Sequence, residues 1–532
     1  MNRRGKRRKV RRKQRFVGAR RTESKQLTPA YESGIQEEQK PKGNSAPFGI
    51  GEAYRIGTKT EVTDMKAQTV KPLMKPMFRM PAKEDYLKAT LRVAHWLRAN
   101  AERTEAGIHW FEDPMHPEGE TVMGEFSVYS GMPGPILFLL ELSEITGDVS
   151  WREDACRAAE YLLANFDEGR KMQTDMGVPG SEIGPISGTA GLSFVFTELG
   201  KATSKQKYLD FAAAETEKIA ALAKRIGEGV EWLGEPGGIS YDAGIALYLL
   251  YEAKAFGRED WRESAIRAAR RLLEQAIETE DGAYKWRTIT VPNIGIDDGG
   301  EMPNFFYGTA GTAYVLARFF EETGEPAFLE AAERGAAYIE RICIREGEKV
   351  LTPFCLPNPE QIYFLGLCNG FAGTVRLFYL LSRIKETGCK SPDAYGDFAV
   401  RMIEGIIAAG APEVHFKGYW NVVCMCCGTA SLLNVLTGFY LATEERKYLE
   451  LAERSGRYLL GQFTDLGEEQ GCWFQSWHRI EPWKVDARIG YYDGNAGEAM
   501  QLLELYAALC GNFRAVRFPD DPFPAVGSVA QR

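Results

Sequence analysis

Gly308-Thr-Ala-Gly311-Thr-Ala-Tyr-Val-Leu-Ala-Arg-Phe-Phe320 is a turn of small residues that runs straight into an almost wholly apolar helical segment. A helix with no polar side has no face to offer water and demands burial all round. The same turn recurs as Gly131-Met-Pro-Gly134, Gly188-Thr-Ala-Gly191, Tyr241-Asp-Ala-Gly244, Gly370-Phe-Ala-Gly373, Gly428-Thr-Ala-Ser431 and Gly494-Asn-Ala-Gly497. The first positions of the seven turns lie 53 to 67 residues apart, a loose period that tolerates loop insertions, and such self-similarity marks a repeat architecture. Amphipathic segments lie between them, among them Tyr208 to Lys224, Trp261 to Ala276, Ala327 to Ile342 and Tyr448 to Phe463, with apolar residues at i, i+3, i+4 and i+7. Counting a leading segment, Tyr86 to Ala99, gives seven outer and seven inner helices. A solenoid that closes on itself removes its exposed terminal repeats. The expected fold is therefore all-α, a double-layered α/α toroid of seven helical hairpins over residues 83–515, with an extension at 1–82 and a tail at 516–532. Glycine lets the turns crowd together at one end of the ring, where any chemistry is expected.

The 532 residues are 44% hydrophobic and 26% charged, ordinary globular usage, and no run of about 18 apolar residues offers a membrane span. The net charge of −8 is uneven: Met1 to Lys25 carries thirteen Lys and Arg against one acid, Glu23. Such an arm suits an anionic partner, RNA, DNA or lipid, through counterion release; the plainer reading is a solvated tail. The polar stretch from Thr22 to about Ala82 lacks helical periodicity and reads as disordered or loosely packed. Twin arginines near the start are followed by no apolar stretch of roughly 7–15 residues, which argues against an export signal and for the cytoplasm. Ten cysteines in that setting are expected to be reduced, and a tight cluster of them points to a metal or catalytic site.

Such a cluster falls in the fifth and sixth turns. Leu367-Cys368-Asn369-Gly370 and Met425-Cys426-Cys427-Gly428 place cysteines at the same phase of adjacent repeats, so ring geometry brings Cys368, Cys426 and Cys427 together. Zn2+ prefers tetrahedral sulfur and nitrogen ligands, and three protein ligands leave a fourth position open, a catalytic layout. Cys424 is the residue that could close the site, though its phase suits this poorly; the plain alternative is that all are small buried apolar residues. Cys156, Cys343 and Cys510 read as core.

Seven Gly-rich turns, with Cys-x-Gly in the fifth and Cys-x-Gly in the sixth, resemble the lanthionine synthetase C-like family over roughly Lys83 to Ala515. That resemblance implies an α/α toroid with one zinc held by Cys368, Cys426 and Cys427, which activates a thiol for addition to dehydroalanine or dehydrobutyrine. Cys427 stands where the common pattern has His, as in a Cys-Cys-Gly subset of the bifunctional enzymes. An extra thiolate lowers the Lewis acidity of the metal and leaves a bound thiolate more nucleophilic. Other family positions depart: its His before the fourth turn is Tyr307, its Asp before the third falls on Gly237, and its aromatic after the first zinc cysteine is Asn369. Tyr307 is then the candidate to protonate an enolate, Glu235 or Asp242 the replacement acid, and His478 the best remaining general acid or base. His109 and His116 flank the first turn and His415 precedes the sixth; the loop from Lys285 to Asn304, with Asp297, Asp298 and Glu301, has the length of a lid. The implied substrate is a peptide or a small thiol such as glutathione, and a cyclase without a dehydratase domain needs a separate dehydratase partner.

Two other readings compete. A carbohydrate-active toroid, hydrolase or epimerase, would use carboxylates such as Asp242 and Asp493 across the mouth, with Trp110, Trp232, Trp286, Trp420, Trp473 and Trp483 stacking on sugars. A zinc-stabilised scaffold without catalysis is the third.

Overall fold

The inner and outer helices alternate along the chain in the computed structural model, which describes residues 80–532 except 120, 176–181, 289–299, 348, 386–387, 415–418, 421, 477–483, 512 and 528–532. The basic arm and almost all of the 1–82 extension lie outside the described residues.

The helices are α1 (Lys83–Ala99), α2 (Pro133–Thr146), α3 (Val149–Ala164), α4 (Phe166–Asp175), α5 (Thr189–Thr203), α6 (Gln206–Ala221), α7 (Asp242–Phe256) and α8 (Glu259–Glu274). They continue with α9 (Thr309–Thr323), α10 (Pro326–Ile342), α11 (Phe371–Arg383), α12 (Pro392–Ala408), α13 (Thr429–Thr443), α14 (Arg446–Gln462) and α15 (Asn495–Cys510). Each inner helix, α2, α5, α7, α9, α11 and α13, packs on the outer helix that follows it; the seventh, α15, packs on α1. The inner helices touch in sequence, α2, α5, α7, α9, α11, α13, α15 and back to α2, so the ring closes. This is an α/α toroid of seven hairpins. Its inner helices are buried almost throughout, as in α13 from Thr429 to Phe439, because their sequences carry no polar stripe. The outer helices bury one face, as α8 does with Trp261, Ala265, Ile266, Ala268, Ala269 and Leu272.

Five short antiparallel hairpins follow outer helices: β1 (Glu102–Thr104) with β2 (Gly107–His109), β3 (Lys224–Ile226) with β4 (Gly229–Glu231), β5 (Ile277–Glu278) with β6 (Tyr284–Lys285), β7 (Ile344–Glu346) with β8 (Lys349–Leu351), and β11 (Thr464–Gly467) with β12 (Gln470–Cys472). A parallel pair joins β9 (Tyr363–Phe364) to β10 (Tyr419–Trp420). At two to four residues these strands are too short to show period-2 alternation, which is why they read as loop from sequence.

The hairpins deliver four tryptophans to one repeated position. The indole N–H of Trp110, Trp232, Trp286 and Trp473 donates to the carbonyl of Leu97, Ile219, Leu272 and Leu459, at 2.7, 2.8, 2.7 and 2.8 Å. Each acceptor lies in the last turn of an outer helix, where carbonyls have no partner within the helix. These rings are 0 to 3% exposed, so they are joints of the scaffold and not sugar platforms. Trp483 and the Trp420 side chain lie outside the described residues.

The 516–532 segment, read from sequence as a tail, enters the ring over its described part. Phe518, Asp520, Phe523 and Val526 are all buried, and Arg376, 2% exposed on α11, donates to the Asp520 carbonyl at 2.9 Å. Two aromatics, two acids and Arg517, which donates to Glu504 at 2.8 Å, give this segment both the apolar area and the charge partners to order there. No helix among the described residues is long and apolar enough to cross a membrane.

Candidate metal centre

Backbone hydrogen bonds tie one Gly-rich turn to the next. Tyr129 N–H donates to Ile186 O (3.1 Å), Ile239 N–H to Phe305 O (3.1 Å), Phe306 N–H to Cys368 O (3.0 Å), Leu367 N–H to Cys426 O (2.7 Å), Cys426 N–H to Tyr492 O (2.6 Å) and Tyr492 N–H to Tyr129 O (3.1 Å). These links hold the turns in register. Glycine is required where turn meets turn: a Cβ on Gly311 would fall on the Phe305 carbonyl and against Gly238.

The residues two positions before the turns share one phase. In the fifth, sixth, first and seventh turns they are Cys368, Cys426, Tyr129 and Tyr492, and Cys427 follows Cys426. Cys427 Sγ stands 3.5 Å from Cys368 Sγ and 3.5 Å from Cys426 Sγ, and the three sulfurs lie within 4.8 Å of one another. All three are free thiols. Ligands about 2.3 Å from a tetrahedral zinc stand roughly 3.8 Å apart, so this spacing and this all-sulfur donor set fit zinc. Cys424 is not part of the set: it is fully buried, and its sulfur accepts the Cys427 N–H at 3.4 Å. Cys368 and Cys426 are buried and Cys427 is half-buried.

Electrostatics within the cluster are lopsided. Thiol hydrogen bonds from Cys426 and Cys427 pull the Cys368 thiol well below its ordinary range. Burial pushes Cys426 up, and donation to Cys368 pushes Cys427 up. Packed thiols resist ionising together unless a cation joins them.

Tyrosines surround the sulfurs. Tyr129 Oη donates to Cys426 Sγ at 3.2 Å. Tyr307 is half-buried, with its ring 6.3 Å from that of Tyr241; burial first and the sulfurs of Cys368 and Cys426 next hold its phenol protonated. Asn369 turns its amide nitrogen to Met302 Sδ at 3.2 Å.

Several sequence candidates have other occupations. Asp242 is no mouth carboxylate: it is 3% exposed, and its two oxygens accept the backbone N–H groups of Trp232, Leu233, Gly234 and Glu235 at 3.2, 2.9, 2.8 and 3.2 Å. Burial raises its pKa to about 6 against those bonds. Asp493 is fully buried, with Ser130 Oγ at 2.7 Å and Arg488 at 3.0 Å. Neither carboxylate of the carbohydrate reading is free. Glu235 pairs with Arg287 at 2.5 Å. At Gly237 a side chain would meet the Tyr307 carbonyl, which accounts for the missing acid there. His109 bridges Glu102 and Glu125 at 3.0 and 2.9 Å, and His116 pairs with Asp113 at 2.7 Å. Glu301 holds Lys285 at 2.8 Å and Tyr338 Oη at 2.5 Å. His478, His415, Asp297 and Asp298 lie outside the described residues.

Tyr129 is the site residue that sequence reasoning passed over. Aligning the seven turns by phase would have found it, since it holds the same position as Cys368 and Cys426.

A family model described as lanthionine synthetase C-like protein matches residues 181–394, a span that includes Cys368 but stops before Cys426. Among solved structures, nisin cyclase is similar at 16% identity and a TM-score of 0.52, covering 79% of this chain and 93% of its own. An unsaturated glucuronyl hydrolase specific for heparin follows at 14% identity, 61% and 83% coverage and a TM-score of 0.40. An alpha-1,6-mannanase from Salegentibacter sp. gives 15%, 61% and 88%, and 0.37. No curated protein matches the chain. The chain thus shares the toroid fold of nisin cyclase, and its residues 181–394 match the lanthionine synthetase C-like model.

Proposed function

We propose that the chain is a zinc-dependent thiol enzyme of the lanthionine cyclase type, joining a cysteine thiol to a dehydroamino acid of a peptide, or a small thiol to a related acceptor. The observation that carries this reading is the mutual approach of Cys368, Cys426 and Cys427, three sulfur donors within 4.8 Å of one another, a set that does not include Cys424. Zinc held there would supply the Lewis acidity that makes an incoming thiol ionise near neutral pH.

The residues around it do the rest. Half-buried Cys427 and Tyr307 form the face through which a substrate reaches the sulfurs. Tyr129, donating to Cys426 Sγ, fixes that sulfur and draws off part of its charge. In the addition a carbon–sulfur bond forms at the β-carbon and the α-carbon takes up a proton. Tyr307, protonated and beside the sulfurs, is the residue proposed to hold the acceptor carbonyl by hydrogen bond and steady the enolate. A dehydratase acting beforehand would be a separate protein. The carbohydrate reading lacks support here, since Asp242, Asp493 and the four described tryptophan side chains serve the scaffold.

The test is metal content by mass spectrometry on the purified chain beside the double variant Cys426→Ala, Cys427→Ala. One zinc per chain, lost in the variant, is expected, together with thiol addition to a dehydroalanine peptide in the wild type alone. Equal zinc in both, or none in either, would overturn the reading.

A further inference from the structure

The C-terminal segment packs among the inner helices, and the proposed reaction makes no use of it. Six inner helices converge on it. Val516 N–H donates to Glu141 of α2 at 2.6 Å, and Phe518 meets Phe194 of α5 at 4.8 Å. Tyr248 of α7 donates to Asp520 at 3.3 Å, and Arg376 of α11 binds the Asp520 carbonyl while donating to Asn434 of α13 at 2.8 Å. Arg517 reaches Glu504 of α15, and Phe523 lies against Tyr379 at 4.7 Å, in the space a Cβ on Gly438 would take.

One residue separates this segment from the metal centre. Phe518 lies 4.5 Å from the Tyr491 ring and 6.0 Å from the Tyr492 ring. The Tyr492 carbonyl receives the Cys426 N–H at 2.6 Å, its N–H goes to the Tyr129 carbonyl, and its ring stands 5.9 Å from that of Tyr129, whose hydroxyl bonds Cys426 Sγ. Phe523, by contrast, touches Tyr379 and Phe439, further along the inner helices and away from Tyr492. Two aromatic anchors therefore hold the same segment, and only one backs the site.

We propose that the C-terminal segment is the floor of the metal centre, with Phe518 a positioning residue that sets Cys426 through Tyr492 and Tyr129. The proposal rests on the zinc reading above for its function, and on the contacts alone for its geometry.

The experiment compares Phe518→Ala with Phe523→Ala in the full chain. Both remove a buried ring and are expected to lower Tm alike. Zn2+ affinity, by chelator competition, is expected to fall about tenfold in Phe518→Ala alone, and the sulfur-to-metal absorption of the Co2+-loaded protein to weaken with it. In metal-free protein, alkylation of Cys426 by iodoacetamide, read by peptide mass spectrometry, is expected to quicken on the order of tenfold in that variant only. Equal changes in both variants, or none in Phe518→Ala, would overturn the proposal. Should Phe518→Ala fail to fold, Phe518→Leu, which keeps apolar volume and loses the ring, takes its place. If the wild type binds no zinc, the zinc reading fails by itself, and the alkylation contrast still decides the positioning role.

Discussion

Cys368, Cys426, Tyr129 and Tyr492 share one phase of the repeat, and the chemistry of this end follows from what occupies that phase. Two sulfurs and two phenols meet there because backbone bonds between turns hold the positions in register. The cysteines were legible in the sequence, being rare and clustered. Tyr129 was not, because a tyrosine beside a turn reads as an ordinary rim aromatic until the turns are aligned. The two tyrosines should separate by experiment. Tyr129→Phe is expected to weaken zinc binding about tenfold by releasing Cys426 Sγ; Tyr307→Phe is expected to lower kcat by about 10- to 100-fold with zinc affinity unchanged. Chelator titration beside steady-state kinetics checks both, and a common loss of zinc in the two variants would contradict the assignment. Asp242 shows the opposite error. An acid at the start of an inner helix resembles a catalytic group, yet the position is a receptor for backbone N–H groups: Thr309 accepts from Trp286 N–H at 3.2 Å and Asn495 from Trp473 N–H at 2.7 Å in the same way.

At the level of elements, a tryptophan joins the end of one outer helix to the start of the next inner helix. Its indole satisfies an end carbonyl of the first, and its backbone N–H reaches a side chain of the second, as with Leu272, Trp286 and Thr309. Helix periodicity was plain in the sequence because the helices are long. The hairpins and their tryptophans were not, because two- to four-residue strands carry no pattern and a lone tryptophan does not announce its partner. Trp286→Phe keeps an aromatic ring and leaves the Leu272 carbonyl without its donor. It is expected to cost about 1–3 kcal/mol in urea unfolding while zinc content stays at the wild-type level. A variant as stable as the wild type would mean the joint carries no weight.

For the whole molecule, seven hairpins in a ring bury carboxylates that a smaller protein would leave in water. Burial raises Glu112 to about 7, Asp486 to about 6 and Glu252 to about 8. Glu252 faces Thr197, whose hydroxyl donates at 2.8 Å, with Lys201 and Glu198 nearby. A carboxyl whose folded pKa lies above its unfolded value binds its proton more tightly when folded. Its cost is absent below about pH 4.5, grows as pH rises, and is complete above the folded pKa. Stability is therefore expected to decline between about pH 5 and 8. Glu252→Gln is expected to remove part of that slope, gaining on the order of 2–4 kcal/mol at pH 8 and little at pH 5. Urea unfolding at the two pH values checks this, and parallel slopes for wild type and variant would refute it. The tail was the part of the whole least legible in sequence, since its burial depends on a lumen that exists only once the ring has closed.

That closure sets a schedule for biosynthesis. The first outer helix, α1, has its packing partner in the last inner helix, α15, which begins at Asn495, almost 400 residues further on. At about 5–20 residues per second the ribosome needs roughly 20–80 s to cover that distance. Throughout that interval the apolar face of α1, with Tyr86, Val93 and Leu97, lacks the inner helix that it packs against most extensively. The nascent chain therefore carries exposed apolar surface until α15 emerges, and the segment after Val516 follows it into a ring whose helices have all been made.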